Sequence, residues 1–365
     1  MTRNTLSKQR TKYSFKVEPV HNILTSMLFI DVAKGIDGLH DFIMRTNARL
    51  TPKERRMHRI IINVFWEVIS PDNSWENFED YLDHLGRTNA KEMIDGYWNR
   101  LAESYEIVNV DGDKLPDRQA LSADPRVFYN YIKNTRQMRE LLLTPDTCME
   151  AIQWLEDPVF FKNSIIDHLQ FMWERHLQDE WQRVEPLVAT SVEDYNNFDL
   201  SDQGPVEAVQ KVFGREIHGA HWVDYLDTVI EVIFVPSMHI KPYATHFRGD
   251  GKVWLSYGAD IADERDAAYA VGRSQLLVTL AALADETRFA ILEKVAEDGE
   301  VTAQEIIHSF DLTQPTASRH LVRLCATGLL VERRRHRVKV YRIDPNAVEI
   351  AMDAITDRLQ DTEPN

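Results

Sequence analysis

The sequence predicts a mainly α-helical protein with small antiparallel β elements, built in units of different texture. Three observations carry this reading. Residues 20–200 alternate apolar-periodic stretches with Pro, Asp and Asn breakers, the pattern of successive helices. Near residue 228 the composition turns β-branched and aromatic, which favours strand. After Gly272 come short capped helices and an alternating basic hairpin, and all eight tryptophans lie before that glycine.

A chain of 365 residues with 44% hydrophobic and 27% charged residues can bury a real core and is long for one domain. The pattern divides it into a flexible basic tail (1–16), a helical N-terminal domain (17–272) with a small β element near 228–257, and a C-terminal domain (273–365) of short capped helices and a basic hairpin. Arg3, Lys8, Arg10, Lys12 and Lys16 near the start lack an apolar stretch beside them, so they do not form a secretory signal. No apolar run reaches the length of a membrane span. Cys148 and Cys325 are far apart and form no CxxC motif, which fits a reducing cytoplasm.

Within the helical region, Thr51-Pro52 starts a helix carrying Ile60, Ile61, Val64, Phe65 and Val68, and Ser70–Asn73 ends it. Asp124-Pro125 and Thr144-Pro145 open two more. From Pro158 towards Gln182 a long amphipathic helix is expected, with Ile165, Leu169, Met172, Trp173 and Leu177 on its apolar side. Thr228–Pro236 reads as a strand, and Arg248–Gly251 as a turn into a partner strand over 252–257. The tryptophans suit an aromatic core and, alternatively, a partly aromatic ligand pocket.

After Gly272, Ser274–Ala284 is apolar and helical. Asp285 caps a helix over 286–296, and Gly299 stands at its C′ position. Thr302 with Glu305 forms a capping-box pattern. Asp311–Thr313 is a tight turn, and Gln314-Pro315 opens the next helix, which Gly328 ends. Two short helices joined this way make a helix-turn-helix, whose second helix enters the DNA major groove. Ala317, Leu321 and Leu324 fall on its core stripe. Gln314, Thr316, Ser318, Arg319, His320 and Arg323 remain as candidates for DNA contact, Gln and Arg being able to pair with base edges in two places at once. Leu329–Arg333 and Val338–Ile343 then alternate as a hairpin with Arg334-Arg335-His336-Arg337 at its tip. Arg333, Arg334, Arg335, Arg337 and Lys339 are the expected phosphate contacts of this wing. Over 312–342 eight basic residues face only Glu332, a local +7 in a chain of net charge −16. Polyanion binding is the commonest reason for such an island.

Ala281–Leu292 and Leu312–Leu330 resemble the ArsR-type winged-helix repressors, over about a quarter of the chain. The resemblance implies a homodimer on an inverted-repeat operator in double-stranded DNA, joined through Ser274–Ala284 and Pro345–Leu359, where Val348, Met352, Ile355 and Leu359 offer an apolar stripe. Metal-sensing members carry cysteines on the first helix of the motif; Glu305–Leu312 has none here, and the last helix has no histidine. His308 alone reads as a surface histidine. No metal or cofactor is therefore expected at the family's usual positions. The region before Gly272 resembles the N-terminal domain of long ArsR-type regulators through Val235–Ser237 and Pro242, which implies a paired architecture but no ligand.

The expected function is a sequence-specific transcriptional regulator, a dimeric repressor answering a non-metal signal, such as a small-molecule effector, through its N-terminal domain. An enzyme or a protein-interaction domain fused to the DNA module is the alternative. The enzyme reading lacks a nucleophile–base pair, and no GxSxG, HExxH, P-loop or dinucleotide fingerprint is present. His218 and His221 have metal-compatible spacing but enclose Gly219. His168 and His176 match no ligand spacing. Cys325 reads as a small half-buried residue.

Overall fold

The computed structural model describes residues 11–33, 39–108, 117–135, 143–195, 199–213, 225–241, 243–258, 273–335 and 338–360. The first strand, β1 (Lys12–Phe15), precedes α1 (Pro19–Val32), α2 (Asp41–Arg49), α3 (Pro52–Arg59), α4 (Trp66–Ile69), α5 (Phe78–Arg87) and α6 (Ala90–Val108). Next are α7 (Arg118–Ala123), α8 (Pro125–Thr135), α9 (Pro145–Glu156), α10 (Pro158–Met172), α11 (Gln178–Tyr195) and α12 (Pro205–Phe213). Then come β2 (Glu231–Ser237), β3 (Ala244–Gly249) and β4 (Lys252–Gly258). The C-terminal part holds α13 (Arg273–Leu283), α14 (Glu286–Asp298), β5 (Val301–Thr302), α15 (Ala303–Ser309), α16 (Gln314–Ala326), β6 (Leu330–Arg335), β7 (Val338–Ile343) and α17 (Pro345–Gln360). The class is the predicted one, mainly α with small sheets.

The helix boundaries come from local chemistry. Thr51 caps α3 through a full capping box with Glu54, with Pro52 in the first turn. Thr144 and Asp157 cap α9 and α10, each with a proline in the first turn. The long helix expected from Pro158 exists, but π turns at Trp173–Leu177 here and at Ile60–Val64 after α3 shift the phase of the helical turns beyond them. Ile165, Leu169, Met172, Trp173 and Leu177 are all buried. Of the seven described tryptophans, six are buried and Trp75 is half-buried, which fits the core reading. His168 Nε2 lies 2.9 Å from His58 Nδ1 inside the body.

The β element departs from expectation in two ways. Its four strands run in the order β1-β2-β4-β3, and β2 pairs in parallel with both β1 and β4; only β3 and β4 form an antiparallel hairpin. The Arg248–Gly251 turn therefore joins β3 to β4, with Gly251 at φ 70°. The physical reason stands in the sequence of β2: Val232, Ile233, Phe234 and Val235 are a continuous apolar run, as suits a strand covered on both faces. Ile233, Val235 and Trp254 face the helical body, whereas Val232, Phe234, Val253 and Leu255 face a second cluster with Leu200, Val209 and Leu226.

The second departure is at the expected tail. Lys12–Phe15 is the edge strand of this sheet, because Phe15 stacks on Phe234 and Tyr195 at centroid distances of 5.0 and 4.9 Å. Residues 1–10, the pair His218 and His221, Trp222 and Pro242 lie outside the described residues. A third core, separate from these two, fills the C-terminal part. Among the described residues no helix is long and apolar enough to cross a membrane.

Candidate nucleic-acid interface

The C-terminal module is assembled by caps and one buried arginine. Asp285 Oδ1 accepts from Arg288 N at 2.8 Å and starts α14. The Arg288 side chain, only 5% exposed, turns back to donate to Ala281 O at 2.7 Å and Ala282 O at 3.2 Å. These are C-terminal carbonyls of α13, which have no partner within their own helix. Arg288 thus fixes the angle between the two helices, a role that the sequence pattern did not assign. The signal available was its position three residues after a capping aspartate.

Gly299, at φ 78°, ends α14. Thr302 then caps α15 with the expected reciprocal box: Glu305 N donates to Thr302 Oγ1 at 3.2 Å, and Thr302 N to Glu305 Oε2 at 2.7 Å. The turn Phe310–Thr313 places Asp311 at φ 49° and delivers the chain into α16. Ala317, Leu321 and Leu324 are fully buried against Ile291, Val295, Ile306 and Leu330. That burial fixes which side of α16 faces outward.

On the outward side Gln314 and Arg319 are exposed, and Thr316, Ser318 and Arg323 are half-buried. Thr316 Oγ1 lies 2.9 Å from Thr313 Oγ1 and accepts from Arg319 Nη2 at 2.9 Å. Arg319 is thereby oriented before any ligand arrives. His320 differs from these. Its side chain is 17% exposed, with Nδ1 3.9 Å from Asp285 Oδ1, so it leans on the α14 cap rather than outward. Burial lowers its pKa against the opposing pull of Asp285.

The hairpin is longer than expected: β6 continues to Arg335, which pairs with Val338, so Arg334 and Arg335 lie on the strand and only residues 336–337 connect it. Pairing sets Glu332, Arg334, Lys339 and Tyr341 on one face, and Arg333 and Arg335 on the other. The one acid of the island is engaged: Glu332 Oε1 holds Lys339 Nζ at 2.9 Å, and Oε2 accepts from Tyr341 at 3.2 Å. Arg333 is exposed. The side chains of Arg334 and Arg335, and all of Arg337, lie outside the described residues. His308 sits on the exposed face of α15 beside Gln304, and Cys325 is half-buried. Geometrically this is a helix that offers short polar groups and arginines, next to a basic two-stranded arm.

The helix-turn-helix domain family matches residues 283–333. The arsenic resistance transcriptional regulator ArsR1 of Pseudomonas putida is 34% identical over 82 residues, which are 22% of this chain and 64% of that protein. The arsenical resistance operon repressor of Escherichia coli K12 is 39% identical over 64 residues, 18% of this chain and 55% of its own length. The chain thus spans less than two thirds of either relative. A crystal structure of an ArsR family transcriptional regulator aligns with 27% identity and a TM-score of 0.22, over 25% of this chain and 94% of that one. The C-terminal module matches the helix-turn-helix domain and is similar to ArsR-type regulators over about a fifth of the chain.

Proposed function

We propose that the chain is a sequence-specific, DNA-binding transcriptional regulator, a cytoplasmic dimeric repressor whose N-terminal domain (17–272) carries the signal input and whose residues 273–365 carry the DNA contact. The observation that supports this most is the outward face of α16: Gln314, Ser318 and Arg319 stand clear of the core beside an arginine-rich hairpin, in an otherwise acidic chain. In this reading Gln314, Thr316, Ser318, Arg319 and Arg323 meet the major groove. Arg333, Arg334, Arg335 and Arg337 run along the backbone, and Lys339 shares its charge with Glu332. His320 supports the helix from inside. The dimer face lies on α13 and α17, where Leu277, Met352 and Leu359 are 49, 50 and 73% exposed.

Footprinting of the full-length protein on its own upstream DNA at modest salt tests the proposal. An inverted repeat with half-sites about 10 base pairs apart, or a multiple of that, is the expected result. No protected repeat, or protection that is indifferent to sequence, would remove it.

A further inference from the structure

Three side chains far apart in sequence meet inside the N-terminal body. His40 is the N-cap residue of α2, Glu180 stands in the first turn of α11 just after a π turn, and His239 lies in the loop leaving β2. One nitrogen or oxygen donor from each lies within 4.8 Å of the other two. The imidazole of His239 is buried between Phe42, stacked at 4.9 Å, and Ser26.

Hydrogen-bond directions around that ring are informative. Ser26 Oγ donates to Asn22 O at 2.9 Å, one turn back on α1, so the same oxygen offers a lone pair to His239 Nδ1 at 2.9 Å. The ring proton then belongs on Nδ1. On the other side Nε2 lies 2.9 Å from Glu180 Oε1. A neutral ring therefore turns a lone pair towards a carboxylate oxygen. A positive charge belongs between two such atoms, either a second ring proton, which makes a His239–Glu180 ion pair, or a metal ion; a third donor, His40, within reach of both favours the metal.

We propose that His40, Glu180 and His239 form a site for a divalent first-row transition-metal ion of zinc-like preference. Two imidazoles and one carboxylate suit such borderline ions better than magnesium or calcium, which prefer all-oxygen shells. Ser26 is then the outer partner of a ligating histidine, holding the nitrogen that does not face the metal. Arg183 grips Glu180 at both oxygens, Nε to Oε2 at 2.9 Å and Nη2 to Oε1 at 2.6 Å. An ion takes the place of Nη2 at Oε1 while the bond to Oε2 holds the carboxylate in position. His40 releases a long bond, 3.2 Å from Phe42 N to Nδ1, when Nε2 coordinates. Three protein ligands leave a fourth position for water or a small ligand, and a cleft lined by Ile23, Trp181 and Met238 borders it. A Ser–His–Glu relay fits the same atoms less well, because the Ser26 hydroxyl is buried and directed at the Asn22 carbonyl. The expectation of a non-metal signal rests on the winged module's own positions, and this site lies elsewhere.

The test uses full-length protein stripped with EDTA, titrated with Zn²⁺ alone by calorimetry and with Co²⁺ by visible absorption. One equivalent per chain is expected. Glu180→Gln and His239→Gln should each weaken it at least about tenfold, with a smaller loss in Ser26→Ala and none in the surface control His308→Gln. No stoichiometric Zn²⁺ site in the wild type, or wild-type affinity in both glutamine variants, overturns the proposal. If those variants do not fold by circular dichroism, the wild-type Co²⁺ spectrum decides: intense low-symmetry bands support the site, and the weak spectrum of the hydrated ion overturns it. No DNA enters the assay, so its failure leaves the regulatory reading standing.

Discussion

Arg319 and Arg333 carry the same charge but stand in different settings, and the proposed function gives them different work. Arg319 projects from the outward face of α16 and is steadied by the Thr316 hydroxyl, whereas Arg333 is exposed on a hairpin strand. Replacing Arg319 by alanine should relax base preference at one operator position, costing about 1–3 kcal/mol there. Arg333→Ala should weaken binding to all sequences alike and lower the log–log salt slope by about 1. Fluorescence anisotropy on matched and scrambled duplexes over a salt series measures both; exchanged phenotypes would refute the assignment.

The buried histidines give a second prediction at this scale. His58 Nε2 donates to Met27 O at 2.8 Å, so Nδ1 can only accept from His168. A proton added to His58 sets its Nδ1–H against the Nε2–H of His168. Burial lowers the pKa of both; His168 is pushed further by His58, while Asp31 pulls His58 partly back. Burial likewise lowers His21 and His176, and takes His40 to about 4. The unfolded chain binds protons first as pH falls past about 6.5. The stability these groups contribute is thus full above that pH and is lost progressively as pH falls towards their depressed folded values. Thermal midpoints should drop across this window, and His168→Gln should make the drop shallower. A pH-independent midpoint between neutrality and the ordinary carboxylate range would contradict this.

At the scale of elements, the module's helices are set by a few caps. The Thr302–Glu305 box satisfies two donors at the start of α15, the first helix of the motif. Thr302→Ala should cost about 1 kcal/mol, read from chemical denaturation of the full chain. DNA affinity should fall by less than in Arg319→Ala, since the cap touches no ligand; a larger loss of affinity would mean that α15 itself makes contacts. These elements were legible because each cap, turn and stripe lies within a few residues of what it controls. The β2 partners were not. Lys12–Phe15 pairs with residues more than two hundred positions away, and its Tyr13/Phe15 alternation is overshadowed by the neighbouring lysines. Register across such a gap is decided by what covers both faces of the sheet.

For the whole molecule, charge and exposed apolar surface matter more than any single contact. A chain of net charge −16 repels phosphate except at its basic island, so affinity should fall steeply with salt and be confined to that region. Leu277, Met352 and Leu359 leave apolar surface on the two helices proposed for dimerisation. The predicted stripe on α17 divides: Val348 and Ile355 are half-buried, whereas Met352 and Leu359 remain exposed. Met352→Glu should shift sedimentation from dimer to monomer and weaken binding to a paired half-site far more than to a single one. Unchanged sedimentation would move the interface elsewhere.

The sequence by itself determined the winged helix-turn-helix, its caps, its core stripe and the basic hairpin, because local hydrogen bonds and a 3.6-residue period need only neighbouring residues. Tertiary structure alone decided that β2 is a central parallel strand, that Arg288 ties α13 to α14, and that His320 Nδ1 sits beside the Asp285 cap. It alone brought His40, Glu180 and His239 together, since a site whose donors come from a helix cap, a helix turn and a strand-exit loop has no spacing to read. Its geometry exists only once the helices have packed.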